Sequence, residues 1–186
     1  MKKILLTIVV AMMATWCAQA QNIPAGIRME IGDSERDKSE YSLFSYKDED
    51  GTFGYYLGLG RVTDFVKIFR DDITSASFAD IRETCICLGS TYDEAMTTLQ
   101  ALLDLYDKDE DTTLEVSGRA STGSERLGEP NTSTCVVKKK PLGGKRLLFI
   151  FKSGKHEAHT YLPKSVVKEL RTDLKFDKKL HPKQHR

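Results

Sequence analysis

The sequence predicts an α+β fold: a mainly antiparallel sheet, built from hairpins and a meander, with two amphipathic helices. Three observations predict it. Asp48-Glu49-Asp50-Gly51 separates two aromatic-rich runs, and an Asp-Gly pair is a strong hairpin turn. Three short apolar runs between residues 135 and 162 are joined by Gly-containing turns. Apolar residues then recur at helical spacing after Thr91 and again after Pro163. No repeated strand–helix–strand unit calls for a parallel sheet.

Residues 1–20 read as a secretory signal peptide. Met1-Lys2-Lys3 is a basic start, Ile4 to Met13 is apolar, and Ala18-Gln19-Ala20 is a small-x-small cleavage site. The apolar run is too short for a bilayer core, which needs about 20 residues. Cys17 raises lipidation, but Trp16 stands where a lipidation box takes a small residue. The chain is therefore expected to be exported to a periplasm, a cell surface or the medium, with no transmembrane span once the leader is removed.

Residues 21–40 are polar and aperiodic and predict an N-terminal arm. A single domain is expected over 41–176. Tyr41 to Tyr46 and Phe53 to Leu59 form its first hairpin, with Phe53, Tyr55, Leu57 and Leu59 on one face. Residues 62–70 fit either a helix or a strand. Cys85 to Leu88 reads as a strand. Thr91 with Glu94 makes a capping box, and Tyr92, Ala95, Met96, Leu99, Leu102, Leu103 and Tyr106 then mark one helical face. Thr113 to Ser117 is a strand, and residues 118–133 are a long surface loop. Cys135 to Lys139, Arg146 to Lys152 and His156 to Leu162 complete the meander. Pro163 opens the second helix, with Val166, Val167, Leu170 and Leu174 as its apolar stripe. Residues 177–186 form a basic C-terminal tail.

Charge gives the sharper functional clue. The chain has 28 Lys+Arg and 27 Asp+Glu, a formal net charge of +1. That neutrality is a sum of opposites: residues 21–137 hold 11 basic and 23 acidic residues, and residues 138–186 hold 15 and 4. Either the two parts compensate each other, or the basic part meets an acidic partner or a membrane surface. Lys138, Lys139, Lys140, Lys145 and Arg146 crowd one turn and are the candidate basic patch.

A second candidate is aromatic. Residues 41–69 hold 8 of the 15 Phe and Tyr residues, projecting from both sheet faces. One face must be core; the other could stack on a glycan or peptide, and Tyr46, Tyr55 and Tyr56 are the candidate binding residues. Gly54, Gly58 and Gly60 lack the Lys-Ser/Thr of a phosphate loop and read instead as a strand that something large approaches closely.

Other chemistry is thinner. Cys135 could pair with Cys85 or Cys87, closing a loop of about 50 residues and stabilising by about 4 kcal/mol. The alternative is three small buried thiols. His156 and His159 are three apart in a strand, so they point to opposite faces and do not match the H-E-x-x-H zinc motif. His181 and His185 share a face only if the tail is helical. Asp107 to Thr112 begins like a calcium loop but lacks its Gly at position six and Glu at position twelve. The pattern calls for no cofactor and no metal. Two functions follow: a non-catalytic binding module for a cell-surface glycan, peptide or acidic partner, or a small exported hydrolase using His156 or His159 as base.

Overall fold

A computed structural model describes residues 25–36, 39–61, 81–122, 126–141, 143–153, 156–182 and 184–185. The expected signal peptide and the helix-or-strand question at 62–70 lie outside the described residues.

The fold is α+β. Eight strands, β1 (Arg28–Arg36), β2 (Ser39–Lys47), β3 (Phe53–Arg61), β4 (Ile81–Gly89), β5 (Thr113–Thr122), β6 (Asn131–Lys139), β7 (Lys145–Ser153) and β8 (His156–Leu162), make one antiparallel sheet in sequence order. Helix α1 (Tyr92–Leu105) follows β4, and α2 (Lys164–Leu180) follows β8. Among the described residues, four strands and a helix thus occur twice in succession. The sheet curls as a half-barrel, so that β8 returns towards β2 and β3. Tyr41 of β2 donates its hydroxyl to the Tyr161 carbonyl of β8 at 2.7 Å.

The concave face holds the main core. Leu43, Tyr55, Leu57, Ile86, Cys135, Val137, Leu147 and Phe149 meet Leu99 and Leu102 of α1 and Val166, Val167, Leu170 and Leu174 of α2, all buried. Helix α1 starts where the sequence placed it. Thr91 Oγ1 accepts from the Glu94 amide, and the Glu94 carboxylate accepts from the Thr91 amide, which closes the capping box. The Asp48–Gly51 turn forms as expected, with Gly51 at φ +90°.

Three boundaries differ from expectation. Residues 28–36, placed in a polar arm, are strand β1. Its signal is hidden because Glu30, Asp33 and Glu35 are exposed and a bulge between Glu30 and Gly32 breaks the alternation. Met29 and Ile31 nevertheless pack on the core. Gly32 lets α2 come close: a Cβ there would lie 2.8 Å from the Asp173 Cβ. The loop expected at 118–133 is shorter, since β5 runs to Thr122 and β6 begins at Asn131. Helix α2 continues to Leu180, past the expected domain end at 176.

Candidate functional site

The aromatic candidate is interior on both sides of the sheet. Tyr55 faces the helix-covered core, and Tyr46 and Tyr56 belong to a second cluster on the convex face with Phe44, Cys85 and Leu127. Tyr46, Tyr55 and Tyr56 are 2%, 2% and 4% exposed, so they offer no open stacking platform. Two arginines help cover the convex cluster. The Arg28 guanidinium lies 3.7 Å from the Phe44 ring centroid and pairs with Glu83 and Glu30. Arg119 Nη1 bonds Asp48 at 2.7 Å and the Tyr56 hydroxyl at 3.0 Å, while its Nε donates to the Gly128 carbonyl at 2.6 Å. Burial pushes the Tyr56 phenol up to about 12.

The expected close approach at the strand glycines is made by the chain itself. A Cβ on Gly58 would sit 1.9 Å from Glu83 Oε1 and 2.3 Å from Ser42 Oγ; one on Gly54 would meet the Tyr56 ring at 3.0 Å. Gly58 therefore makes the room in which the Arg28–Glu83–Ser42 group assembles.

The basic hairpin is largely engaged by the acidic connection after α1. Lys138 pairs with Asp111 at 2.5 Å, Lys139 with Glu110 at 3.0 Å, and Lys145 donates to the Lys108 carbonyl. Lys164 adds a pair with Asp107 at 2.9 Å. Hydrogen bonds from Lys164 and Lys139 hold the Asp107 and Glu110 carboxyls below their usual range, and the bond to Asp111 raises Lys138. Arg146 stacks on Tyr161 with its guanidinium carbon 3.4 Å from the ring centroid, and Lys140 is exposed at the turn. So the acidic connection from α1 to β5 supplies the counter-charge of this hairpin.

The disulfide does not form. Cys85, Cys87 and Cys135 are free thiols. Cys85 and Cys87 share the convex face, whereas Cys135 lies in the concave core, and the sheet itself separates the sulfurs. Burial raises the Cys135 thiol to about 12 and lifts Cys85 further.

Of the histidines, His156 stands opposite Ser153 and His159 opposite Ile150 in β8. Among the described residues no group of three or more His, Cys, Asp or Glu is arranged to hold a metal. His185 makes the connected arrangement instead. Its Nδ1 meets the Tyr55 hydroxyl at 2.7 Å and its Nε2 meets Asp177 Oδ2 at 2.7 Å. The ring also stacks on Tyr55, at 5.8 Å and 14°, and packs edge-on to Tyr92. Hydroxyl, imidazole and carboxylate in line have the connectivity of a nucleophile, base and orienting acid. With Tyr55 in the core and its phenol pushed up by burial, the chain uses that connectivity to tie its tail to β3.

One basic feature is not compensated in this way. Lys175 and Lys179, one turn apart on α2, make no ion pair among the described residues, and Lys168 lies on the same side at spacings of seven and eleven. Beside them Phe176 and Leu180 are each 60% exposed.

No family model, curated protein or solved structure matches the chain.

The residues on the outside of α2 were not singled out from the sequence, where the basic run 138–146 drew attention by density. The signal that finds them is periodic: Lys175-Phe176 and Lys179-Leu180 repeat at four residues, in the same helical frame that places Val166, Val167, Leu170 and Leu174 on the other side. Chemically, the pattern offers paired cations next to apolar side chains that can leave water. Among the described residues no helix is long and apolar enough to cross a membrane.

Proposed function

We propose that the chain is an exported, non-catalytic interaction module that recognises an acidic partner through its basic C-terminal part. The observation that carries this reading is that, among the described residues, the compensation of charge does not reach the outer lysines of α2, although Lys164 at its start pairs with Asp107 and Lys178 with Asp93. The hairpin lysines Lys138 and Lys139 are held by Asp111 and Glu110, whereas Lys175 and Lys179 have no such pair among the described residues. The reading treats α2 as amphipathic, with its buried stripe anchoring the fold and its outer side left for a ligand. Lys140, exposed at the β6–β7 turn, adds to the same positive field.

Binding of the purified chain to a labelled polyglutamate peptide, followed by anisotropy, tests the reading. Affinity that falls steeply between about 50 and 200 mM salt, and that drops further in Lys175→Glu with Lys179→Glu, is the expected result. Binding that is absent at low salt, or unmoved by both charge reversals, refutes it. Export is tested separately by N-terminal sequencing of the extracytoplasmic fraction, which should begin at Gln21.

A further inference from the structure

We infer that the outer side of α2 docks on an anionic lipid bilayer, with Phe176 and Leu180 at the acyl boundary and Lys175 and Lys179 on headgroup phosphates. This rests on the acidic-partner reading and names the partner's class. At 3.6 residues per turn, Phe176 and Leu180 lie within about 40° of each other, and Lys175 and Lys179 repeat that pair about 100° around the helix. The two apolar side chains thus form one ridge, flanked along one side by the two ammonium groups. Lys168 continues the basic side towards the start of the helix, where it nears Asp107.

Two neighbours could oppose an anionic surface, and both are turned to internal partners. Glu169 accepts from Ser34 Oγ at 2.8 Å and pairs with Arg36 at 3.1 Å. Asp173 sits against Gly32, and its carboxyl is raised by burial and by the nearby charges of Glu169 and Asp33. Lys178, on the inner side, is held over the Tyr92 ring at 3.6 Å. The last exposed turns of α2 therefore present the cations and the apolar ridge together. A soluble polyanion or acidic peptide answers the lysines but leaves Phe176 and Leu180 in water. A bilayer with anionic headgroups answers both, because its charged layer overlies an apolar one and lysine stems can span the step.

Co-sedimentation of the full chain with vesicles of phosphatidylglycerol and phosphatidylcholine, against phosphatidylcholine alone, tests the inference. Expected is binding to the anionic vesicles only, reduced about fivefold by each of Lys175→Gln and Lys179→Gln. Phe176→Ser with Leu180→Ser should abolish it while leaving circular dichroism and polyglutamate binding unchanged, since both side chains project into solvent. A Phe176→Trp reporter should shift its emission to the blue on anionic vesicles. Polyglutamate binding without vesicle binding, or vesicle binding indifferent to the Phe176 and Leu180 changes, overturns the lipid assignment and leaves the acidic-partner reading standing. Loss of both kinds of binding in the unmodified chain refutes the two together.

Discussion

The hydroxyl of Tyr55 meets the imidazole Nδ1 of His185 at 2.7 Å across 130 residues of sequence, and Asp177 holds the other ring nitrogen at the same distance. A strand near the beginning of the fold is thereby fastened to the last described residues of the chain. The histidine can satisfy both partners in one tautomer: Nε2–H donates to the carboxylate and Nδ1 accepts from the phenol.

Removing this fastening should loosen the tail and weaken the domain together. His185→Ala is expected to lower unfolding free energy by about 1–2 kcal/mol, the range for one or two partly buried hydrogen bonds. Tyr55→Phe should cost less, because Asp177 still holds the ring. Urea denaturation measures both, and limited tryptic cleavage after Lys179 should accelerate in His185→Ala. Unchanged stability and unchanged cleavage would show that the contact does not anchor the tail.

Alkaline pH should unfold the protein through its tyrosines. Burial raises the phenols of Tyr55, Tyr56 and Tyr106 above the ordinary value of 10.0. Below pH 10 all three are neutral in the folded and unfolded states, so their contribution is fully present. Above it the unfolded chain ionises while the folded chain resists, and stability falls as pH rises. Tyrosinate absorbance should therefore show Tyr55, Tyr56 and Tyr106, at least three of the seven tyrosines, ionising only together with loss of the far-ultraviolet signal.

The thiols give a simple check of the sheet's two faces. Alkylation of the native protein without reductant should label Cys87, which is half-exposed, and leave Cys85 and Cys135 unlabelled until denaturant is added. All three should then react, giving the same mass with and without reductant. A Cys135 bridge surviving in denaturant would contradict the placement of Cys135 and Cys85 on opposite faces.

Gly58 should tolerate no side chain while Glu83 keeps its place. Gly58→Ala is expected to destabilise by about 1–3 kcal/mol, since the new Cβ overlaps the Glu83 carboxylate and the Ser42 hydroxyl that Arg28 gathers. In a Glu83→Ala background the same change should cost distinctly less, a coupling that a double-mutant cycle in urea reads directly. Equal penalties in the two backgrounds would place the strain elsewhere.

The elements carried by local chemistry were legible in the sequence. The Thr91–Glu94 cap, the Asp-Gly hairpin turn, the facing of Phe53, Tyr55, Leu57 and Leu59, and the three-strand meander all follow from neighbours within a few residues. Strand β1 was not legible, because its order comes from β2 and from Asp173 and Glu169 on α2, well over a hundred residues away. For the same reason the aromatic face looked available: Arg28 and Arg119, which help close it, come from other strands. The compensation of the basic hairpin was legible only as a charge imbalance, since the pairing of Lys138 with Asp111 depends on how β5 and β6 register.

The closeness of Gly32 to Asp173 bears on the order in which the molecule can be completed. The first strand finds its helical cover only in the final 17-residue helix. Until that helix is made, the outer edge of β1 has no seat for Met29 and Ile31, however early the strand leaves the ribosome. Cooperativity therefore runs end to end: the amide protection of β1 should rise and fall with that of α2, and a chain cut short before Leu170 should lose both ends of the fold at once.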